Sequence, residues 1–284
     1  MGAGLDAQTR LAAVIGDPVR HSRSPVLHNA AFEATGLNWA YVAFPVAAGS
    51  AAAALAAMRV LGIEGLSVTM PHKADVAAAV DRCSPAATRL GAVNCVRREG
   101  DVLIGENTDG IGFVRSLRGE LGFDPAGTSV AVLGAGGAAR AVIVALVEAG
   151  VRSLAVVARN AVTGARAVEL AGPVGALADA NSLREVDLIV NATPVGMFDN
   201  DEDPTAVPFD PAIIRPGQIV ADLIYHPPET ALLAAARERG ATVINGVGML
   251  LHQAAEAFEL WTGTQAPIEV MREALLGSLD DERT

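Results

Sequence analysis

The chain has 284 residues, 51% of them hydrophobic and 19% charged, and a formal net charge of −11. That length sets an expectation of about two domains of roughly 150 residues each, and the composition excludes a disordered chain. Lys and Arg are outnumbered and scattered, which argues against a nucleic-acid surface; an anionic ligand has to be drawn by a local site, because the overall field repels it.

A mean hydropathy of +0.35 raises the question of a membrane. The Ala-rich run from Ala47 to Met58 is too short to span one, however, and no apolar run approaches about 18 residues. The start, MGAGLDAQTR, has no basic segment followed by an apolar one, so nothing points to export, and a cytoplasmic protein is expected. Cys83 and Cys95 are too far apart for a C-x-x-C pair and too few for a structural zinc site. They are expected as free thiols in a reducing compartment.

Taken in chain order, LAAVIG (11–16), YVAFPV (41–46) and GLSVT (65–69) read as strands, and the segments beginning near Pro25, Gly49 and Lys73 read as helices. The stretch 91–110, GAVNCVRREGDVLIGENTDG, reads as two strands around the turn REGD, followed by a polar stop. A helix is expected from Ile111 to Leu121, and FDPAGT then breaks the pattern at a hinge. The second half restarts with SVAVLGAGGAARAVIVALVEAG (129–150): a buried strand, a glycine turn and an apolar helix. SLAVVAR, DLIVNATP and QIVADLI follow as strands, a spacing that fits a parallel sheet built from βαβ units. The end of the chain is helical by period and has no strand after it, so those helices must cover something.

The glycine turn carries the first functional signal. Gly134, Gly136 and Ala139 make a G-x-G-x-x-A pattern, with Ala135, Gly137 and Ala138 between them, placed directly after a strand and opening a helix. The first glycine permits the tight turn, the second lets backbone approach a pyrophosphate, and the small third residue allows close packing of helix on strand. Helix N–H groups then meet the anion. An ordinary tight strand-to-helix turn is the alternative. Enzymes that use NAD place an acid about 20 residues on, at the tip of the next strand. Here that tip reads VVARNAVTGAR, with no acid, and Arg159 stands where a 2′-phosphate would lie. Asn160 is beside it and Arg166 is within reach on the following helix, which favours NADP; a solvated surface arginine is the alternative.

A hydride acceptor needs a proton donor close by. Lys73, in SVTMPHK, follows a strand and a proline and opens a helix; alternatively it is a surface lysine. Asp109, in GENTDG, ends a strand at the domain junction, where it either forms a turn before Gly110 or acts as a carboxylate that stabilises and aims the Lys73 ammonium. His21, His28, His72, His226 and His252 form no metal-ligand pattern, so no metal is expected. Tyr225 lies on a loop after a strand and reads as half-buried.

Eight stretches, GDPVRHSRSPVLHN, SVTMPHK, GAVN, GENTDG, VLGAGGAAR, NATPVGM, DLIYHPPET and GVGMLLHQ, together resemble the shikimate dehydrogenase family, in that order along almost the whole chain. The resemblance implies an α/β protein in three segments. Residues 1–110 would form an α/β substrate domain, residues 111–246 a Rossmann-type doubly wound NADP domain, and residues 247–284 would be helices that return to the first domain. It implies reversible, NADP-linked oxidation of shikimate to 3-dehydroshikimate, a step towards chorismate and the aromatic amino acids. The partner is then a small-molecule substrate, with no nucleic acid and no membrane, and a homodimer is left open.

Carried over by position, Ser22 and Ser24 would hold the substrate carboxylate with Tyr225, while Thr69, Lys73, Asn94, Asp109 and Gln253 would bind its ring hydroxyls. Lys73 would exchange the proton and Asp109 would orient it. The 134–139 turn, Arg159 and Asn160 would hold the adenosine end, Gly246 and the loop Asn191 to Met197 would lie near the nicotinamide, and Leu223 would also bind the cofactor. Pro25 would open a helix whose N-terminal dipole supports the same carboxylate, with Ser24 as its N-cap.

The chain departs from the family at three points. Ser67 stands where the family usually has Asn, which shortens the reach of that side chain. Ala158, Arg159 and Asn160 replace the usual NRT, and Thr163 replaces a second arginine, which weakens the expected preference for NADP.

Overall fold

The computed structural model describes residues 5–197, 203 and 205–280. The first part of the chain runs β1 (Arg10–Gly16), α1 (Ser24–Thr35), β2 (Trp39–Pro45), α2 (Ala51–Leu61), β3 (Gly65–Val68) and α3 (Lys73–Ala79). It continues with β4 (Arg82–Cys83), α4 (Pro85–Leu90), β5 (Cys95–Glu99) and β6 (Val102–Glu106). The six strands form one sheet in the order β2-β1-β3-β5-β6-β4. β1 is parallel to both its neighbours, whereas β5 runs antiparallel to β3 and to β6.

Strand alternation buries both faces of this sheet. Ala13 and Ile15 of β1 pack with Leu55 and Met58 of α2 and Val76 of α3. On the other face, Ala12 is in register with Tyr41 on one side and Gly65 on the other. Only a glycine fits at 65, because a Cβ there would enter the Trp261 indole.

The chain goes on through α5 (Asp109–Leu121), β7 (Ser129–Leu133), α6 (Gly137–Glu148), β8 (Ser153–Val157), α7 (Ala161–Ala171), β9 (Gly175–Leu177) and β10 (Leu188–Asn191). Then come β11 (Ile219–Asp222), α8 (Ala231–Glu238) and β12 (Thr242–Ile244). These strands make a second six-stranded sheet in the order β12-β11-β10-β7-β8-β9, with every pair parallel. Val130 and Val132 of β7 pack with Val142 and Ile143 of α6, and Ala131 and Leu133 with Leu232 and Leu233 of α8. The chain starts at β7 and moves outward to β9, then crosses to β10 and moves the other way. The crevice outside the carboxyl ends of β7 and β10 is therefore the ligand-binding position of a doubly wound sheet.

Last come α9 (Val247–Thr262) and α10 (Ile268–Asp280). Residues Met1–Thr108 and Leu251–Thr284 form one compact unit and Asp109–Leu250 a second. Within the first, α10 packs on α1 and Trp261 Nε1 donates to the Val96 carbonyl at 3.0 Å. The terminal helices thus cover the face of the first sheet that α2 and α3 leave open. Phe32 and Phe258, buried in this aromatic cluster with rings 5.5 Å apart, each contribute about 1.5–3 kcal/mol by leaving water.

The helix expected from Ile111 begins two residues earlier, so Asp109 opens α5 rather than ending a strand. Cys83 and Cys95 are free thiols. Among the described residues no helix is long and apolar enough to cross a membrane.

Candidate active site

One edge of the first sheet gathers the polar residues singled out in that half. β1 ends at Gly16 and leads into the turn bearing Ser22 and Ser24, and β3 ends at Val68 and leads into Thr69. Because β5 runs antiparallel to β3, with Ser67 opposite Cys95, the residue before β5, Asn94, comes back to the same edge. β6, antiparallel again, brings Thr108 there. Asn94 is buried and fixed from both ends of its amide: Oδ1 accepts from the Thr108 N–H at 2.7 Å, and Nδ2 donates to Thr108 Oγ1 at 3.0 Å. Its backbone carbonyl accepts from the Val68 N–H at 2.7 Å.

Lys73 is the first residue of α3. Two contacts set its position. The Val93 N–H donates to the Lys73 carbonyl at 2.9 Å, and the preceding residue, His72, is fully buried with Nε2 2.7 Å from the Val46 carbonyl oxygen. His72 thus anchors the start of the helix that carries the lysine. Gln253 lies on α9, in the part that belongs to the same unit.

The serine turn differs from expectation. The N-cap of α1 is Arg23, without a side-chain cap, and Ser24 is the first helical residue with Pro25 behind it. Ser24 is therefore no cap, because its backbone has already turned helical. Its N–H accepts support from Ser22 by donating to Ser22 Oγ at 3.3 Å, so the two hydroxyls are held on one turn.

In the second unit the carboxyl ends of the parallel strands converge. Gly134 follows β7 with φ +108, a conformation that favours glycine, and a Cβ there would come within 2.9 Å of the Ala192 carbonyl oxygen. Gly136 and Gly137 behave differently: a Cβ at either meets nothing within 4 Å. The space beside Gly136 belongs to a pocket of about 390 Å³ lined by Gly134, Ala135, Gly136, Arg159, Asn160, Thr163, Thr193 and Val195, among others. Ala138 is exposed on the first turn of α6 and Ala139 is buried beneath it, where a small residue lets the helix approach the sheet.

This pocket fits a dinucleotide phosphate by its chemistry: unfilled room against glycine backbone at the start of a 12-residue helix, and a guanidinium at the next strand tip. Arg159 pairs with no carboxylate among the described residues. Asn160 lines the pocket too, but its Oδ1 caps α7, accepting from the N–H groups of Val162 at 2.9 Å and Thr163 at 3.2 Å; only its amide Nδ2 faces other work. Arg166, expected within reach, does not line the pocket. Thr163, one turn before it on α7, does.

Leu223 and Gly246 adjoin each other beyond that pocket's lining: Gly246 donates its N–H to the Ile224 carbonyl at 2.9 Å, and a Cβ at 246 would sit on the Leu223 carbonyl oxygen. Tyr225, two residues on from Leu223, is 36% exposed. Lys73 belongs to the first unit, and Asp109 and Tyr225 to the second.

One polar group escaped the sequence reading. Asp222, the last residue of β11, is 1% exposed, and burial pushes its carboxyl above the usual carboxylate range despite three hydrogen bonds. A lone acid closing the apolar run QIVAD was the available signal.

Known proteins supply the frame for these two half-sites. Residues 14–96 match the family model for the shikimate dehydrogenase substrate binding domain, and residues 246–276 the shikimate 5'-dehydrogenase C-terminal domain. The shikimate dehydrogenase (NADP(+)) of Moorella thermoacetica is 49% identical over 284 residues, covering 95% of this chain and 94% of that one. A shikimate dehydrogenase crystallised with NADP+ superposes with a TM-score of 0.90 at 37% identity, covering 98% of both chains. The Thermus thermophilus shikimate 5-dehydrogenase, solved with NADP(H) and shikimate, gives 0.87 at 36% identity, over 95% of this chain and 100% of that one. With its two six-stranded sheets, its glycine turn and this identity along its length, the chain belongs to the shikimate dehydrogenase family.

Proposed function

We propose that this protein is an NADP-dependent oxidoreductase that interconverts shikimate and 3-dehydroshikimate, on the route to chorismate and the aromatic amino acids. The observation that carries the reading is the pocket lined by Gly134, Ala135, Gly136 and Arg159, in a chain 49% identical to an NADP(+)-named shikimate dehydrogenase. Held against Gly134–Gly136 and Arg159, the nicotinamide dinucleotide would supply the hydride acceptor for oxidation and the hydride donor for reduction.

The chain's own residues do the rest. Ser22 and Ser24 hold the substrate carboxylate from their shared turn, with Tyr225 as a third hydroxyl donor, and neutral hydroxyls suffice because each directs a hydrogen bond at a charged oxygen. Thr69, Asn94 and Gln253 bind ring hydroxyls; Asn94 is suited to this because Thr108 already fixes its rotamer. Lys73 takes the proton from the reacting hydroxyl on oxidation and gives it to the carbonyl oxygen on reduction, and Asp109 supports its ammonium form. Arg159 would hold the 2′-phosphate, and Leu223 and Gly246 would contact the nicotinamide half. We assign the protein to the cytoplasm, where Cys83 and Cys95 stay reduced.

Lys73→Ala tests the assignment. Its kcat for shikimate oxidation is expected to fall by about 10²–10⁴ with KM little changed, because a proton-transfer group acts in the transition state. A variant that raised KM alone would remove Lys73 from this role.

A further inference from the structure

We propose that Asp222 is a positioning residue for hydride transfer: its buried carboxylate ties the turns that follow β10 and β11 and the start of α8 into one wall on the nicotinamide side of the cofactor site. The proposal rests on the reading of the second unit as the NADP half of a shikimate dehydrogenase.

The network is complete in the geometry. Asp222 Oδ1 accepts from Asn191 Nδ2 at 3.0 Å and from the Ile224 N–H at 3.1 Å, and Oδ2 accepts from Thr230 Oγ1 at 2.8 Å. Asn191 closes the neighbouring strand and passes the constraint on: its Oδ1 accepts from the Thr193 N–H at 3.1 Å and from Thr193 Oγ1 at 2.7 Å. Thr193 lines the cofactor pocket. Ile224, held by Asp222 at its N–H, accepts from Gly246 at its carbonyl, so the Leu223–Tyr225 turn is pinned from both sides. Thr230 is also the N-cap of α8, accepting from the Leu233 N–H at 3.3 Å.

No cation takes part. The three donors are neutral, and burial without an opposing charge holds the carboxyl above its usual range. A carboxylate in that state is a poor choice for stability alone, since the amide of the same shape avoids the cost of burying charge. What the carboxylate has and the amide lacks is acceptor capacity on both oxygens. An amide keeps the two bonds at Oδ1, but it turns an N–H towards the Thr230 hydroxyl, which must then find another acceptor for its own hydrogen. The wall would stay folded but lose its fixed geometry, and hydride transfer depends steeply on reactant alignment.

Asp222→Asn in the full chain tests this with readouts that separate positioning from folding. Expected are a Tm equal to or above that of the unaltered protein, a Kd for adenosine 2′,5′-bisphosphate within twofold, and a kcat at least tenfold lower. The primary isotope effect with 4-deuterated NADPH should rise, as hydride transfer comes to limit turnover. Thr230→Val, which removes only the donor to Oδ2, should give a smaller loss of the same kind. A kcat within twofold of normal overturns the proposal. So does a Tm lower by more than 5 °C with adenosine bisphosphate binding lost in proportion, the mark of a merely structural group. Should the unaltered protein fail to oxidise shikimate with NADP+, the functional reading falls and takes this proposal with it; an active parent with an unaffected variant removes the proposal alone.

Discussion

Two buried titratable groups, one in each unit, are held in opposite ways. In the first, His28 is wholly buried without a hydrogen-bond partner at either ring nitrogen, stacked at 4.4 Å on Tyr41, whose buried hydroxyl also lacks one. Burial pushes the imidazole pKa down to about 3, so the ring is neutral and serves as a packing body between α1 and the sheet. In the second unit, both oxygens of the buried Asp222 are engaged, by donors from two strand-end turns and a helix cap. The difference follows what each unit has to present. The first offers side chains: hydrogen bonds fix Asn94 and the start of α3, while α1 rests on a close-packed aromatic floor that needs none at His28. The second offers backbone, at Gly134–Gly137 and at the turns after β10 and β11, and backbone is held in place by hydrogen bonds.

That contrast can be broken at its backbone side first. At Gly136 the φ of −74 is open to any residue and a Cβ meets no protein atom, so Gly136→Ala should leave Tm within a degree or two while NADP+ affinity falls on the order of 100-fold, because the added methyl occupies the space where the pyrophosphate approaches. Calorimetric titration alongside thermal melting reads both; a variant that kept its affinity would remove the cradle from the account.

The aromatic floor is tested by acid. The unfolded His28 imidazole gains a proton below its ordinary value of about 6.5, whereas the folded one stays neutral down to about 3. Its contribution is therefore fully present above pH 6.5 and drains away as the pH falls, by about 2 kcal/mol at pH 5, a factor of about 30 in the folding equilibrium. Urea midpoints between pH 7 and pH 5 should show this slope, and His28→Leu should flatten it. An equal slope in both proteins would place the acid sensitivity elsewhere.

Smaller effects sharpen the side-chain half. Ser24→Ala removes one directed bond to a carboxylate and should raise the shikimate KM about tenfold with kcat little changed; a loss confined to kcat would contradict the anchoring role. Arg159→Ala should narrow the preference for NADP+ over NAD+ by about fivefold, a modest figure because the guanidinium is exposed and Thr163 and Asn160 supply no second charge. An unchanged ratio would detach Arg159 from the 2′-phosphate.

What was legible in the sequence follows the same division. The turn from β7 into α6 was readable because close backbone approach demands glycine, and glycine at fixed spacing between an apolar strand and an apolar helix is a local pattern. The long strands and helices were readable by period. β4, β9 and β12, of two, three and three residues, are too short to show any period, and α4 and α8, of six and eight residues, went unread beside them. Ser24 passed for a cap because Ser before Pro is the usual cap pattern, whereas here the helix starts one residue earlier. Asp222 and its partner Thr230 open and close the stretch DLIYHPPET, but the role was missed because the other side-chain partner, Asn191, lies 31 residues away in a separate stretch. Lys73 could be picked out as a candidate proton donor, but the serines, Thr69 and Asn94 were given substrate roles only through resemblance, since nothing in spacing alone reveals that successive strands, reversing at β5, return them to one sheet edge.

The central claim is that the chain selects shikimate, mostly through side chains of the first unit, and selects NADP through the second. Initial rates for shikimate and quinate, each with NADP+ and with NAD+, test it in one experiment. The account predicts the highest kcat/KM for shikimate with NADP+, with a penalty for changing either partner. A rate for quinate with NAD+ that equalled or exceeded it would contradict both selections at once.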